Sequence, residues 1–339
     1  MTQDLAGDYD ALLVLSFGGP EREEDVIPFL ENVLRGRNVP RERMLEVAEN
    51  YHRFGGKSPI NQQNRELIAA LRAELDAHGI RLPIYWGNRN WHPLLQDTLR
   101  QMHQDGVRRA MVFITSAYSG YSSCRQYRED LQRACSAIGD GAPRCERLRH
   151  FYNHPSYLTA LEDRLLAAFG QLPPDRRSDA HLLFTAHSIP ISMARTSRYV
   201  EQIAEVAAHL ASKMGRGDAG WRLVWQSRSG PPGQPWLEPD IRDALSQIAA
   251  TAGVSRDVVV SPIGFISDHM EVKFDLDTQA AEHARELGLN MIRAGTAGTH
   301  PSFIGMIREL IQERLERRDP PPLCTETCCP PPVHTGRPA

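Results

Sequence analysis

A histidine and a group of carboxylates follow two apolar runs of the chain, and these residue types together can bind a divalent metal and transfer protons. His187 comes directly after the apolar run 182–186. In open α/β sheets ligands bind beyond the carboxyl ends of the strands, so an imidazole at this position would face a binding site. Its neutral form accepts a proton near physiological pH, which is the task of a general base. The alternative is a structural histidine that bonds a neighbouring backbone group.

The carboxylates lie a few residues after another apolar run. Asp268, His269 and Glu271 come first, and Asp275 and Asp277 continue the acidic pattern. On a helix, Asp268, Glu271 and Asp275 would share one face. A capping box, with Asp268 as the N-cap and Glu271 at the third position, explains two of these residues without a metal. It leaves Asp275 and His269 unexplained, and an imidazole beside carboxylates suits a borderline divalent metal such as Fe(II).

The apolar runs alternate with longer amphipathic stretches, which predicts parallel sheets covered by helices on both faces and therefore an α/β fold. The segment 59–78 is typical of the helices, because apolar residues recur at helical spacing and Gly79 ends it. Predicted strands cover residues 11–16, 84–87, 110–115, 182–185, 223–225, 258–261 and 290–293.

A break rich in Gly at 139–143 follows a predicted helix at 125–138 and divides the chain into two units. The length agrees, because 339 residues hold about two domains at roughly 100–200 residues each. The expected units are an N-terminal domain (1–145), a C-terminal domain (146–300), a helix that braces the first domain (301–318) and a tail rich in Pro and Cys (319–339).

Charge and motifs exclude several classes of function. The 39 Lys and Arg residues are interspersed with 42 Asp and Glu, so no basic surface for nucleic acid is expected. Gly55-Gly56-Lys57-Ser58 resembles the end of a P-loop, but Tyr51 stands where its leading glycine belongs, and a nucleotide site is not expected. The acidic N-terminus and the lack of an apolar run of about 18 residues predict a cytoplasmic protein without stable membrane insertion. Nothing in the sequence demands a dimer, and we expect a monomer.

Several segments, in the expected order, resemble the ferrochelatase family, the enzymes that insert Fe(II) into a porphyrin in haem synthesis. They include Phe-Thr-Ala-His-Ser-Ile-Pro at 184–190 and Pro-Ile-Gly-Phe-Ile-Ser-Asp-His-Met-Glu at 262–271, and the others lie at 15–20, 54–61, 87–91, 118–124 and 225–237. The sequence is most similar to the monofunctional bacterial branch whose substrate is coproporphyrin III. The resemblance implies two Rossmann-like domains around a porphyrin cleft. It also implies a downstream partner, the decarboxylase that converts the product to haem.

The resemblance assigns residues to this cleft. It implies that His187 and Glu271 face each other across the macrocycle at the iron site, and that Ser58 and Tyr127 contact the porphyrin carboxylates. Phe17 stands where some bacterial members have a tyrosine that ligates the product iron, and phenylalanine cannot act as a ligand.

From the chemistry of the residues, we expect His187 to be the base and the first iron ligand, with Glu271 opposite. Asp275, and with it Asp268 and Asp277, could pass on the second proton or hold the incoming iron.

The six cysteines suggest metal binding before disulfides, because the cytoplasm keeps thiols reduced. A [2Fe–2S] cluster needs four thiolates. The tail offers three of them, Cys324, Cys328 and Cys329. The fourth must come from Cys124, Cys135 or Cys145, and Cys124 is favoured because it begins a helix at a strand end. The resemblance agrees, since cluster-bearing ferrochelatases combine one such internal cysteine with three near the C-terminus. The alternatives are unbound thiols in a loose tail or an adventitious zinc site.

Three other functions stay open. Protoporphyrin IX, which has two propionates where coproporphyrin III has four, is the alternative substrate. A non-catalytic porphyrin or haem carrier would keep an aromatic cleft but would not need both His187 and Glu271. A related chelatase could use Co(II) or Ni(II), because imidazole and carboxylate ligands do not by themselves fix the metal.

Overall fold

The computed structural model describes residues 9–36, 39–230, 233–318 and 328–331. Two four-stranded parallel sheets form its frame. The first has the order β2-β1-β3-β4 and contains β1 (Ala11–Ser16), β2 (Ile84–Asn88), β3 (Arg109–Ile114) and β4 (Arg144–Arg147). The second has the order β6-β5-β7-β8 and contains β5 (His181–His187), β6 (Trp221–Gln226), β7 (Asp257–Ser261) and β8 (Asn290–Arg293). Both sheets thus repeat one Rossmann-like strand order.

Helices connect the strands and cover the sheets. They are α1 (Val26–Leu34), α2 (Arg41–His52), α3 (Ile60–Ala77), α4 (Leu95–Gln104), α5 (Gln126–Ile138), α6 (Pro155–Phe169), α7 (Ile191–Ala194), α8 (Tyr199–Lys213), α9 (Ile241–Ala250), α10 (Met270–Lys273), α11 (Ala281–Glu286) and α12 (Pro301–Leu315). Two π-helical segments, Tyr121–Arg125 and Asp275–Ala280, precede α5 and α11. Within the described ranges, no helix is long and apolar enough to span a bilayer.

The two sheets share one core. All six residues of β1 are buried, as expected for a strand covered on both faces. Leu12 of β1 belongs to the same apolar cluster as Phe184 of β5, so this cluster joins the sheets. Helix α12 contributes Leu310 to the cluster and packs against both α3 and α6. The Arg308 guanidinium of α12 is 2.8 Å from the Glu74 carboxylate of α3.

The predicted strands all occur, with ends that differ by up to two residues. The pattern missed β4, a short edge strand that reads Arg-Cys-Glu-Arg and has no apolar run to reveal it. The predicted domain boundary after residue 145 lies inside β4, whose four residues belong to the first sheet. Most of the predicted tail, including Cys324, lies outside the described residues.

Candidate active site

His187 is the last residue of β5, a strand with neighbours on both sides. It pairs in register with Gln226 at the end of β6. The Tyr199 hydroxyl donates a hydrogen bond to the His187 carbonyl oxygen at 3.0 Å, and the His187 Nδ1 lies against the Ser188 carbonyl oxygen. The remaining ring nitrogen, Nε2, is 3.4 Å from the Glu271 Oε1. The strand end and Tyr199 therefore fix the His187 backbone, and the Ser188 carbonyl oxygen orients the imidazole so that its other nitrogen is directed at a carboxylate.

Glu271 is held in place at the start of the one-turn helix α10. His269 is the N-cap, and its Nδ1 accepts a hydrogen bond from the Glu271 backbone N–H at 3.2 Å. Gln226 donates a hydrogen bond to the Glu271 carbonyl oxygen at 2.7 Å. The alternative interpretation, a capping box with Asp268 as the N-cap, is wrong, because Asp268 precedes the helix and His269 has that place. The His269 Nε2 is 3.8 Å from the Glu271 Oε2, so the carboxylate lies between two imidazoles.

His187 and Glu271 form an ion pair. Burial alone lowers the pKa of His187, but the Glu271 charge and hydrogen bond outweigh it and raise the pKa to about 9. Burial likewise raises the pKa of Glu271, and the His187 charge reverses this and lowers it to about 2. At neutral pH the protonated form of His187 is therefore favoured while Glu271 lies beside it, and the neutral imidazole is the minor form. Burial lowers the pKa of His269.

Asp275 stands beside this pair at the start of the second π-helical segment. The Ser227 hydroxyl, in the loop after β6, donates a hydrogen bond to the Asp275 Oδ2. Burial raises the pKa of Asp275 to about 7, and the neighbouring Glu271 charge acts in the same direction. Asp275 can therefore take up and release a proton near neutral pH.

Asp268 and Asp277 do not extend this acidic group. Both carboxylates bind the Arg293 guanidinium at the end of β8, with Nη1 3.1 Å from the Asp268 Oδ1 and Nη2 2.9 Å from the Asp277 Oδ2. Lys273 is a second partner of Asp277, at 3.2 Å. The sequence pattern predicts a continuous line of carboxylates. This interpretation is wrong, because the Arg293 guanidinium pairs with two of them, Asp268 and Asp277.

Tyr127 and Phe17 both lie near the Arg89 guanidinium. The Arg89 Cζ is 4.5 Å from the centroid of the Tyr127 ring and 5.9 Å from that of the Phe17 ring. The Arg89 Nε is 2.5 Å from the Asp130 Oδ2, and this ion pair holds the guanidinium in place. Tyr127 is 5% exposed, whereas Phe17 is 37% exposed and offers an open apolar face.

Ser58 lies immediately before α3, beneath the loop that follows β1. It is 3% exposed, and its hydroxyl accepts a hydrogen bond from the Ile60 backbone N–H at 3.4 Å. The loop comes so close that a Cβ built on Gly19 would lie 2.7 Å from the Ser58 Cβ. Ser58 is thus part of the joint between the loop and α3.

Cys124 is in the first π-helical segment, after β3, and is 4% exposed. Its thiol forms hydrogen bonds with Cys329 and His150, and the first of these is the main reason why the pKa of Cys124 falls to about 3. The Arg125 guanidinium donates a hydrogen bond to the Cys328 carbonyl oxygen at 3.0 Å. The structure therefore brings Cys124 and Cys329 together, although no three described His, Cys, Asp or Glu residues form a metal-binding group.

Sequence reasoning missed three residues that support the His187–Glu271 pair. Gln226 and Tyr199 hold the backbones of Glu271 and His187, and Tyr51 lies close enough to Glu271 for that charge, after burial, to raise its pKa. Gln226 ends β6, and the same strand-end argument that selected His187 could have found it. Tyr51 and Tyr199 lie on helices, where a tyrosine gives no such signal.

A family model described as ferrochelatase matches residues 9–315 of the chain. The chain belongs to the ferrochelatase family. As in that family, the enzyme is a lyase that inserts iron into a porphyrin. It is 52% identical over 345 residues to a ferrochelatase of Rhodopirellula baltica, with 97% of each chain covered. It is 49% identical over 353 residues to a coproporphyrin III ferrochelatase of Nocardia farcinica, with 97% of this chain and 99% of the relative covered.

Among solved structures, the ferrochelatase chain is similar to SirB from Bacillus subtilis with Fe3+. The TM-score is 0.56 at 12% identity, covering 91% of this chain and 98% of that one. A second similar structure is the sirohydrochlorin chelatase SirB from Bacillus subtilis subspecies spizizenii in complex with cobalt, with a TM-score of 0.52 at 12% identity, covering 91% of this chain and 95% of that one. At this identity the likeness concerns the fold, and it confirms the prediction of an α/β protein with two Rossmann-like domains.

Proposed function

We propose that this ferrochelatase inserts Fe(II) into coproporphyrin III and yields coproheme, with His187 as the base and Glu271 opposite it. The observation that carries the proposal is the contact between these two side chains at the strand ends. The His187 side chain is 30% exposed and that of Glu271 45%, so a ligand can reach both. The substrate is supported by relatives such as that of Nocardia farcinica, which is named for coproporphyrin III.

The macrocycle must separate the pair to be metallated between them. A flat ring that contacts both side chains requires a separation of about 7 Å between them, which is twice the roughly 3.5 Å of a carbon contact. The Nε2–Oε1 distance is 3.4 Å, so His187 and Glu271 move apart when the porphyrin enters. Once Glu271 is distant, burial dominates and lowers the pKa of His187, which then loses its proton and becomes a base.

Metallation replaces two pyrrole protons by one Fe(II). The neutral His187 offers one lone pair, at Nε2, so its two roles follow in sequence. It would first ligate the incoming Fe(II), and it would accept one pyrrole proton after the iron has passed to the ring nitrogens. Glu271, on the other face, receives the second proton or holds the Fe(II) until the ring nitrogens bind it. Asp275 receives protons from this side, because its pKa of about 7 lets it exchange them with solvent.

The propionates would bind near Ser58 and Tyr127. The Arg53 Cζ lies 5.9 Å from the ring centroid of Phe274, and Arg53 and Lys57 add positive charge to the segment before α3. Coproporphyrin III has four carboxylates to satisfy, and these cations favour it over protoporphyrin IX. Phe17 supplies an apolar surface for the macrocycle and leaves the axial position of the product iron to another group or to water.

A [2Fe–2S] cluster fits the cysteines that the structure describes. Cys124 is buried beside Cys329, and the adjacent Ser123 hydroxyl is buried with no hydrogen-bond partner among the described residues. Cys124, Cys328, Cys329 and Cys324, which lies outside the described residues, would hold the cluster. Iron insertion transfers no electrons, so the cluster would serve to fasten the C-terminal segment or to sense oxidants.

Loss of the cluster can be measured directly. Cys124→Ser should abolish the visible absorption of the purified protein and its content of acid-labile sulfide. Cys135→Ser removes a thiol outside the proposed set and serves as the matched control. Retention of both signals in Cys124→Ser would contradict the ligand assignment.

We further propose a cytoplasmic monomer with two domains that divide after β4, a bracing helix at 301–318 and a tail at 319–339. A reducing compartment is supported by the cysteines, because no disulfide joins the five that the structure describes. The product would pass to the haem-forming decarboxylase as the downstream partner.

The decisive experiment mixes the purified enzyme anaerobically with Fe(II) and coproporphyrin III, and in parallel with protoporphyrin IX. Faster loss of free-porphyrin fluorescence with coproporphyrin III is the expected result. Faster insertion into protoporphyrin IX would overturn the substrate assignment. Tight binding of both porphyrins without insertion would support a carrier instead. Parallel assays with Co(II) and Ni(II) determine the preferred metal.

A further inference from the structure

Cys135 and Cys145 form a second pair of thiols, which neither the catalytic site nor the proposed cluster uses. Cys135 is in the last turn of α5, and Cys145 is the second residue of the edge strand β4. Both are partly exposed and pack against the same apolar cluster between the first sheet and its helices. The two thiols lie within hydrogen-bonding reach of each other.

The connection between the two cysteines is short. Gly139 ends α5 with a φ of 85°, a left-handed conformation that favours glycine, and its backbone N–H bonds the Cys135 carbonyl oxygen at 3.1 Å. The chain then turns, and the Cys135 Sγ is 3.8 Å from the Pro143 carbonyl oxygen, two residues before Cys145. The two side chains therefore lie close together across one tight turn. A disulfide between them would link neighbouring elements of the same sheet and its covering helix.

Each thiol changes the pKa of the other. A hydrogen bond between them lowers the pKa of Cys135 against the opposing effect of burial. The same hydrogen bond and burial raise the pKa of Cys145. Because the two thiols share a proton, either sulfur can supply the thiolate that begins thiol–disulfide exchange, and the other completes it.

We propose that Cys135 and Cys145 are a redox-active dithiol that small-molecule disulfides oxidise to a reversible intramolecular disulfide. One of the two cysteines, as the thiolate, attacks one sulfur of the small disulfide, forms a mixed disulfide and releases one small thiolate. The other cysteine then gives its proton to solvent and attacks the protein sulfur of the mixed disulfide, and the second small thiolate leaves. Two protein thiols are oxidised, one small disulfide is reduced to two thiols, and electrons and atoms balance.

The bond would fix the end of α5 to the edge of the first sheet. Helix α5 carries Tyr127 in its first turn, directly after Cys124 and Arg125. Oxidation should therefore raise the thermal unfolding midpoint of the full-length protein, because it restrains the unfolded chain.

The test treats the full-length protein, reduced and with its metal content retained, with oxidised glutathione under anaerobic conditions. Unreacted thiols are alkylated, and the cysteine peptides are identified by mass spectrometry. We expect a linked peptide pair that contains Cys135 and Cys145 and that dithiothreitol separates. The peptide of Cys124 reports on the proposed cluster ligands in the same sample.

Two variants test the linkage. Neither Cys145→Ser nor Cys135→Ser should give the linked peptide pair, and each should stop at a stable glutathione adduct on its remaining cysteine. The proposal is overturned if both cysteines of the wild-type protein remain alkylated, or if a glutathione adduct on either of them persists in the wild-type protein.

Discussion

His187 and Glu271 stabilise each other's charged state, so each controls the proton affinity of the other. Removing the Glu271 charge leaves burial, which lowers the pKa of His187, opposed by the smaller effects of the Ser188 hydrogen bond and the Asp275 charge. In Glu271→Gln we therefore expect this pKa to fall from about 9. NMR titration of the imidazole ring protons measures it.

Glu286 offers a matched control for this titration. Its side chain is 78% exposed and lies 4.0 Å from His283 on α11, away from the pair. Glu286→Gln should leave the pKa of His187 at about 9. If His187 titrates alike in Glu271→Gln and in the wild-type protein, the carboxylate does not set its protonation state.

His187→Ala removes the proposed base and the first iron ligand. We expect iron insertion to slow by about 10²–10⁴-fold, the usual range for general acid–base catalysis, while porphyrin binding persists. Fluorescence titration follows binding, and anaerobic insertion assays follow turnover. His283→Ala, which removes an imidazole bonded to Ser246 at 2.8 Å on the outer face, is the control. Unchanged insertion by a folded His187→Ala protein would refute the assignment.

Asp275 links protonation to stability. Its pKa is about 7 in the folded protein and 3.8 ordinarily, so the folded state binds the proton more tightly. Its contribution to stability is present below 3.8 and is lost as the pH rises through 7. Asp275→Asn should therefore raise the free energy of unfolding relative to wild type above pH 7, with no gain near pH 3.8.

Urea unfolding at several pH values measures the difference. Asp277→Asn is the contrasting variant, because its carboxylate pairs with Arg293 and Lys273 and its loss should lower stability. A stability difference between Asp275→Asn and wild type that does not change with pH would argue against titration of Asp275 in the folded protein.

At the scale of elements, the loop after β1 depends on a close approach to α3. A Cβ at Gly19 would lie 2.7 Å from the Ser58 Cβ and 2.8 Å from the Ile60 Cγ2. Gly19→Ala should cost about 1–3 kcal/mol of stability and raise the KM for porphyrin, because the loop must move. Gly217→Ala is the control, because nothing lies within 4 Å of the added methyl. It should leave both the stability and the KM for porphyrin close to those of the wild-type protein. Equal effects in both variants would contradict the role of this contact.

The elements that sequence patterns predict best are those with strong periodicity. Buried parallel strands such as β1 and β7 appear as apolar runs, and α3 shows a clear apolar face. Strand β4 shows neither, because a charged edge strand needs no buried run. The π-helical segment after α10 is also invisible in the sequence, since its i→i+5 bonds, such as that from the Gln279 N–H to the Phe274 carbonyl oxygen, carry no residue signature.

The candidate site follows the same division. Strand ends locate His187, and the segment after β7 contains Glu271, so both residues could be selected from the sequence. The direct contact between His187 and Glu271 could not be predicted from the sequence. The ion pairs of Asp268 and Asp277 with Arg293 could not be predicted either, because both kinds of contact depend on how distant loops pack. The protonated state of His187 follows from that contact and was missed for the same reason.

At the scale of the whole molecule, α12 stabilises both halves through the shared core. Leu310 is 1% exposed within the cluster that joins the sheets. Leu310→Ala should lower the free energy of unfolding by about 2–5 kcal/mol, the usual cost of a buried Leu→Ala cavity. Leu166→Ala, on the 49% exposed position of α6, is the control and should cost far less. Denaturant titration measures the free energy of unfolding of both variants. Similar losses in the two would contradict the role of α12 in the shared core.

His187 and Glu271 belong to elements of different rigidity, and this difference determines which of them moves when the two side chains separate. His187 ends a central strand, the type of element whose amide hydrogens exchange most slowly with solvent. Glu271 belongs to a helix of four residues that runs into a π-helical segment, and such irregular helices open locally at lower free energy. Amide exchange should therefore be slow through β5 and fast through α10, so that the base remains stationary and the carboxylate swings aside.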